Sequence, residues 1–369
     1  MQLLFVVHGM GANPPGWSKA ILAKLDEVAS RYHAFNGGPP FSQRVTIVEI
    51  SYDAVFSDLV ETWQDDLGEL RKLDKSEGLN MPDVLRTLSQ TTLPPEAKSV
   101  FWTTLIDPVL YRGVSTIRDQ VRALVQKQLI EAIEPIARTE PVKACIVCHS
   151  LGTIVMHDAL AILGSTPLRK GEETSRAFMP PAFRFDSLFS LANVSRLGPY
   201  DLDPYNTCVR PVGAPNAGDG TVLPYCDCMY SFRHRWDPFT LWQTFDRTDW
   251  GGAYLQPAPL EHVHSANVHG FRHYLDHPVV HVPILNRALG VLAITKKEKE
   301  EKIASYPLIV PESCGAARQR LRERAEQLAA AVKNPRRLNE VIQAGIWFYM
   351  AVREAANACP ELMKGFEGD

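Results

Sequence analysis

Between residues 141 and 164 the chain reads PVKACIVCHSLGTIVMHDALAILG, and its centre, Cys148-His149-Ser150-Leu151-Gly152, carries the side chain best suited to nucleophilic chemistry. Val142 to Val147 is apolar and β-branched, the pattern of a buried strand, while Thr153 to Leu163 has apolar residues at helical spacing. A serine on the sharp turn between such a strand and helix is pushed out at the carboxyl edge of a sheet. The free N–H groups of the helix then lie beside it, ready for a developing oxyanion. The pattern is G-x-S-x-G with Cys148 in place of the first glycine, a substitution a small thiol permits where the backbone is unstrained. An ordinary surface turn is the bland alternative, and the flanking strand and helix weigh against it.

A serine nucleophile needs a base and an acid to orient that base, and where the serine sits on such a strand-to-helix turn the acid and then the histidine are sought after it in the chain. Glu261 to His281, EHVHSANVHGFRHYLDHPVVH, holds six of the chain's eleven histidines. His269, in a loop just before Gly270 and ahead of an expected helix, is the first choice for the base, and His273 the second. Irregular spacing and the lack of an acidic cluster argue against a metal site there, so the other histidines are read as surface or structural. Two acids are candidates. Asp237 follows an expected strand, Met229 to Trp236, and precedes Pro238, which forces it extended at a strand exit. Asp219 sits in the turn Gly218-Asp219-Gly220. Asp237 is preferred, although either would serve as a capping aspartate. Near the N-terminus, His8-Gly9-Met10-Gly11 ends an apolar run, where a loop could supply a second oxyanion donor from the backbone of Met10, alongside that of Leu151.

The elements that must hold these residues follow from pattern. Leu3 to Val7, Val45 to Ile50 and Phe183 to Val194 read as strands, and Trp17 to Tyr32 as a helix with Ile21, Leu22, Leu25 and Val28 on one face. Residues 53 to 140 form an intervening, mostly helical region in which Ile117 to Ile136 is amphipathic; a lid or acyl-pocket wall and plain packing against the sheet both suit it. Beyond residue 290 the composition shifts. Lys296 to Lys302, KKEKEEK, reads as a solvated helix face, and Ala316 to Val332 and Leu338 to Ala356 as two amphipathic helices forming a C-terminal extension. Their mixed charge leaves peripheral membrane contact open without favouring it.

With 369 residues and 45% apolar content, the chain can bury a large core. A net charge of −3 does not suggest a nucleic-acid partner. No apolar run approaches the roughly 18 residues that span a bilayer, and the N-terminus reads as a first strand rather than a signal peptide, so a cytoplasmic protein is expected. Cys145 and Cys148 should point to opposite faces of their strand, and Cys226 and Cys228 lack a second ligand pair at finger spacing. All four read as reduced, buried thiols.

Together, the His8-Gly9-Met10-Gly11 loop, the Cys148-His149-Ser150-Leu151-Gly152 turn, Asp237-Pro238-Phe239 and the His269 region resemble the α/β-hydrolase superfamily, and its lipase and esterase-like branch in particular. The likeness covers residues 1 to 285 and departs from the pattern at Cys148. It implies a mostly parallel sheet flanked by helices, with a helical lid-like insertion in a domain of residues 1 to 290. It also implies a Ser150-His269-Asp237 triad acting on a small-molecule or lipid ester without metal or organic cofactor. Phospholipase and thioesterase activity, or a silent fold used for binding, are the other readings.

Overall fold

The computed structural model describes residues 2–10, 13–56, 111, 115–137, 142–165, 183–197, 209–214, 224–235, 237, 240, 245–262, 264, 268–307 and the single positions 319, 320, 323, 324, 327 and 351. Asp219, most of the 53–140 insertion and nearly all of the two C-terminal helices lie outside these residues.

Among the described residues six strands form one parallel sheet: β1 Gln2–Val7, β2 Thr46–Ile50, β3 Lys143–His149, β4 Phe185–Leu191, β5 Cys226–Phe232 and β6 Tyr254–Leu255. Their order is β2-β1-β3-β4-β5-β6, every pairing parallel. The helices are α1 Ser18–Ala29, α2 Ser115–Ala137, α3 Leu151–Ser165, α4 Phe271–Asp276, α5 Pro278–Leu289 and α6 Lys296–Ala304. No helix among them is long and apolar enough to cross a membrane.

Parallel strands covered on both faces need near-continuous apolar runs, and β1 supplies one from Leu3 to Val7. Leu3, Phe5 and Val7 enter one core cluster with Ile146 and Cys148 of β3, Val121 and Val125 of α2, and Val155 and Ala159 of α3. Leu4 and Val6 enter the other with Cys145 and Val147 of β3, Leu25 of α1, Tyr274 of α4 and Ile284 of α5. Cys145 and Cys148 thus face opposite sides, as their spacing requires, and both are free buried thiols, as are Cys226 and Cys228.

Some boundaries differ from the sequence pattern. Strand β5 runs from Cys226 to Phe232 rather than from Met229 to Trp236. The chain leaves the sheet earlier because His234 makes a lone bridge to Leu260. Asp237 is therefore not at the strand end but on a turn beyond it, its N–H donating to the His234 carbonyl at 3.1 Å. The charge run 296–302 forms α6, which has no buried residue.

The sheet order reverses between β1 and β3. Chain connections leave a crevice at such a point, outside the carboxyl ends of the strands. The segments after β1 and after β3 are those carrying His8-Gly9-Met10 and Ser150.

Candidate active site

Ser150 is the single residue between the end of β3 and the start of α3, and its φ is +50°, in the left-handed region. A non-glycine residue there is strained, and such strain collects at functional turns. Thr153 fastens the turn: its N–H and its hydroxyl both donate to the Ser150 carbonyl, at 2.8 and 2.7 Å. Ser150 N–H in turn donates to Leu191 O at the end of β4, 3.0 Å away. Cys148 stands inside β3 as an ordinary strand residue, in register with Val7 and Ser190 and fully buried. The position that the motif gives to glycine is here regular extended backbone, which explains why a thiol is accommodated.

Two glycines do require the absence of a side chain. A Cβ on Gly152 would collide with the His8 carbonyl, and one on Gly9 would lie 2.8 Å from His149 Nδ1 and 2.9 Å from Ser150 Cβ. The loop after β1 is therefore pressed directly against the serine turn. His8 braces it. Its Nε2 accepts from Tyr52 N–H at 3.3 Å while its Nδ1–H donates to Gly9 O at 2.8 Å, and Tyr52 hydroxyl donates to His8 O at 2.8 Å. Burial pushes the His8 imidazole down to about 4, so it stays neutral. Met10 follows on this loop, half-buried against the core, and Leu151 opens α3 with a backbone N–H that no intrahelical partner can reach.

His269 lies on the turn before α4, whose N-cap is Gly270. Its Nε2 is 2.7 Å from Ser150 Oγ and its Nδ1 is 2.8 Å from Asp237 Oδ2. A carboxylate only accepts, so Nδ1 carries the proton and Nε2 presents its lone pair to the serine hydroxyl. Asp237 is fully buried. Burial alone would raise its carboxyl, but the His269 charge and hydrogen bonds from His269 and Tyr274 outweigh it and hold the group below its ordinary value. The second-choice base, His273, is turned elsewhere: its ring stacks on His262 with centroids 4.1 Å apart, and its Nε2 faces the backbone N–H of His264 at 3.4 Å. Asp219 is outside the described residues.

Two neighbours of this chain of hydrogen bonds are not evident from sequence pattern. Tyr274 hydroxyl donates to Asp237 Oδ2 at 2.7 Å, sharing that oxygen with His269. His149 donates from Nε2 to the carbonyl of His269 at 2.6 Å and stacks on Phe271 at 4.9 Å. It thereby ties the residue before Ser150 to the backbone of His269. Position next to Ser150 is the only signal that could have marked His149. For Tyr274 the sequence offers none.

Of the other histidines in the 261–281 run, read as surface or structural, His262, His277 and His281 are buried, and His262 converges with the second-choice base His273 and with His234. One of these, His234, lies outside the dense 261–281 run, which is why spacing within that run could not reveal the grouping.

Comparisons with protein-family models, with curated proteins and with solved structures find no match for this chain.

Proposed function

We propose that this chain is a serine hydrolase of α/β-hydrolase type that cleaves carboxylic or lipid esters. The observation that carries the reading is the unbroken series Ser150 Oγ, His269 Nε2, His269 Nδ1 and Asp237 Oδ2, with contacts of 2.7 and 2.8 Å, on a strained turn opening a helix. The parallel sheet and the chain order serine, aspartate, histidine support the α/β-hydrolase assignment.

In the first step Ser150 Oγ attacks the ester carbonyl carbon while its proton passes to His269 Nε2. Asp237 keeps the imidazole in the required tautomer and stabilises the imidazolium. The carbonyl oxygen becomes an oxyanion held by the backbone N–H groups of Leu151 and Met10, each such donor being worth ~3 kcal/mol of barrier. Collapse expels the alcohol, which takes the proton from His269. Water then gives a proton to the same nitrogen as it attacks the acyl-serine, and collapse releases the acid while His269 returns that proton to Ser150 Oγ.

The test is reaction of the purified chain with a fluorophosphonate, followed by intact mass and peptide mapping. One adduct on Ser150, lost in Ser150→Ala, is expected. A folded protein that takes no adduct overturns the reading in favour of a silent binding fold. Esters of graded chain length, thioesters and phospholipids then separate carboxylesterase from thioesterase and phospholipase activity, which would use the same three residues.

A further inference from the structure

Three segments meet at the crevice: the loop after β1 with Gly9, the turn after β3 with Ser150, and the loop before α4 with His269. One side chain reaches all of them. His149 is the last residue of β3, directly ahead of Ser150, and it is buried. One edge of its ring faces Gly9, where an added Cβ would stand 2.8 Å from Nδ1. The opposite edge donates from Nε2 to the His269 carbonyl at 2.6 Å. The ring also stacks on Phe271 at 4.9 Å, inclined by 11°, and its centre lies 5.0 Å from that of His269.

A carbonyl only accepts, so His149 Nε2 carries a proton. Burial pushes the imidazole down to about 3, which leaves Nδ1 bare and the ring uncharged. Neutrality suits this place. A positive charge so close to His269 would oppose the imidazolium that forms there as Ser150 gives up its proton. His269 itself stands in a turn outside the sheet, one residue ahead of the N-cap of α4. Its ring is oriented by Asp237, and its main chain is anchored by His149.

We propose that His149 is a positioning residue for the base. By holding the His269 carbonyl on one edge and abutting Gly9 on the other, it sets the spacing of the base and of the loop after β1 about Ser150. The inference rests on the serine-hydrolase reading given above. Asp237 governs the rotation and tautomer of the His269 imidazole, whereas His149 governs how far that imidazole stands from Ser150 Oγ. Misplacing a reacting group by about 1 Å can cost on the order of 100-fold in rate, so a main-chain anchor at this point acts on turnover rather than on substrate affinity.

The test compares variants of the full chain with a chromogenic short-chain ester and with a fluorophosphonate. His149→Phe keeps a ring against Phe271 and removes the donor; His149→Gln supplies a neutral N–H of about the same reach. His149→Phe should lower kcat roughly 30-fold with KM within about twofold, and it should slow labelling of Ser150 by a similar factor. His149→Gln should recover to within about fivefold of wild type. The downfield NMR resonance of the His269 Nδ1 proton, identified by its loss in His269→Ala, should persist in His149→Gln and broaden in His149→Phe. Circular dichroism confirms the fold of each variant, and His149→Leu takes the place of His149→Phe if the latter does not fold. Wild-type rates in a folded variant that lacks the donor overturn the role, and so does an equal loss in His149→Gln, which would reduce His149 to packing. Wild-type protein that takes no adduct on Ser150 overturns the serine-hydrolase reading and this role with it, whereas a labelled wild type beside an indifferent His149→Phe overturns this role alone.

Discussion

His269 and the His234-His262-His273 group lie within one small region, yet their imidazoles meet opposite surroundings. His269 is partnered at both nitrogens by unlike groups, a carboxylate on one side and a hydroxyl on the other, and its side chain retains 13% exposure. In the other group His234 and His262 each donate from Nε2 to a main-chain carbonyl, and the rings of His262 and His273 stack on one another in the interior. Residue type and local density are the same in both places. What differs is whether the two nitrogens of a ring lie between a carboxylate and a hydroxyl, a setting that can move a proton, or among main-chain groups and other rings, a setting that packs the interior.

Exchanging the histidines one at a time is the severest trial of that contrast. His269→Ala should lower turnover on the order of 10⁶-fold, as loss of a triad member does in a well-studied protease, with little change in stability. His273→Ala should leave turnover at saturating substrate within about tenfold while costing about 1–3 kcal/mol of stability. Urea unfolding beside steady-state kinetics reads both, and the reverse ranking would exchange the two roles.

Acid provides a second trial. Burial pushes His8 down to about 4 and His149, His157 and His281 down to about 3, from 6.5 in the unfolded chain. Between those values the unfolded state binds more protons, so stability must fall as the pH drops below 6.5. Each of these imidazoles contributes about 1.4 kcal/mol per pH unit. Urea midpoints at pH 7, 6 and 5 should decline with increasing steepness; a flat profile would mean that these rings are not held neutral by the fold.

The finest test concerns Tyr274. Tyr274→Phe keeps the ring and removes one of the two donors to Asp237 Oδ2. kcat/KM should fall roughly tenfold, the worth of one hydrogen bond to a charged group, and its acid limb should move to higher pH while KM holds. An unchanged limb would reduce Tyr274 to packing.

Much of this arrangement was legible from the chain. The apolar, β-branched runs at Leu3–Val7 and 142–147 could only be strands covered on both faces. The loop that follows the first and the Ser150 turn that follows the second are then forced together at the sheet's reversal point. The beginning of β5 was obscured because Cys226-Asp227-Cys228 alternates buried and exposed residues with an acid at its centre. The exact station of Asp237 depended on the His234–Leu260 bridge, a contact across 26 residues that no local pattern announces. The roles of His149 and Tyr274 were hidden for the same reason. Their partners, His269 and Asp237, are 120 and 37 positions away along the chain.

The Ser150–His269 contact itself spans 119 positions. Closing loops of that length belongs to the slow end of folding, and this one joins segments that flank β4, β5 and β6. A nascent chain still lacking residue 269 has its serine but not the proposed base. The rate at which Ser150 gains reactivity toward a covalent probe during refolding is therefore a clock for completion of the sheet, read from one atom.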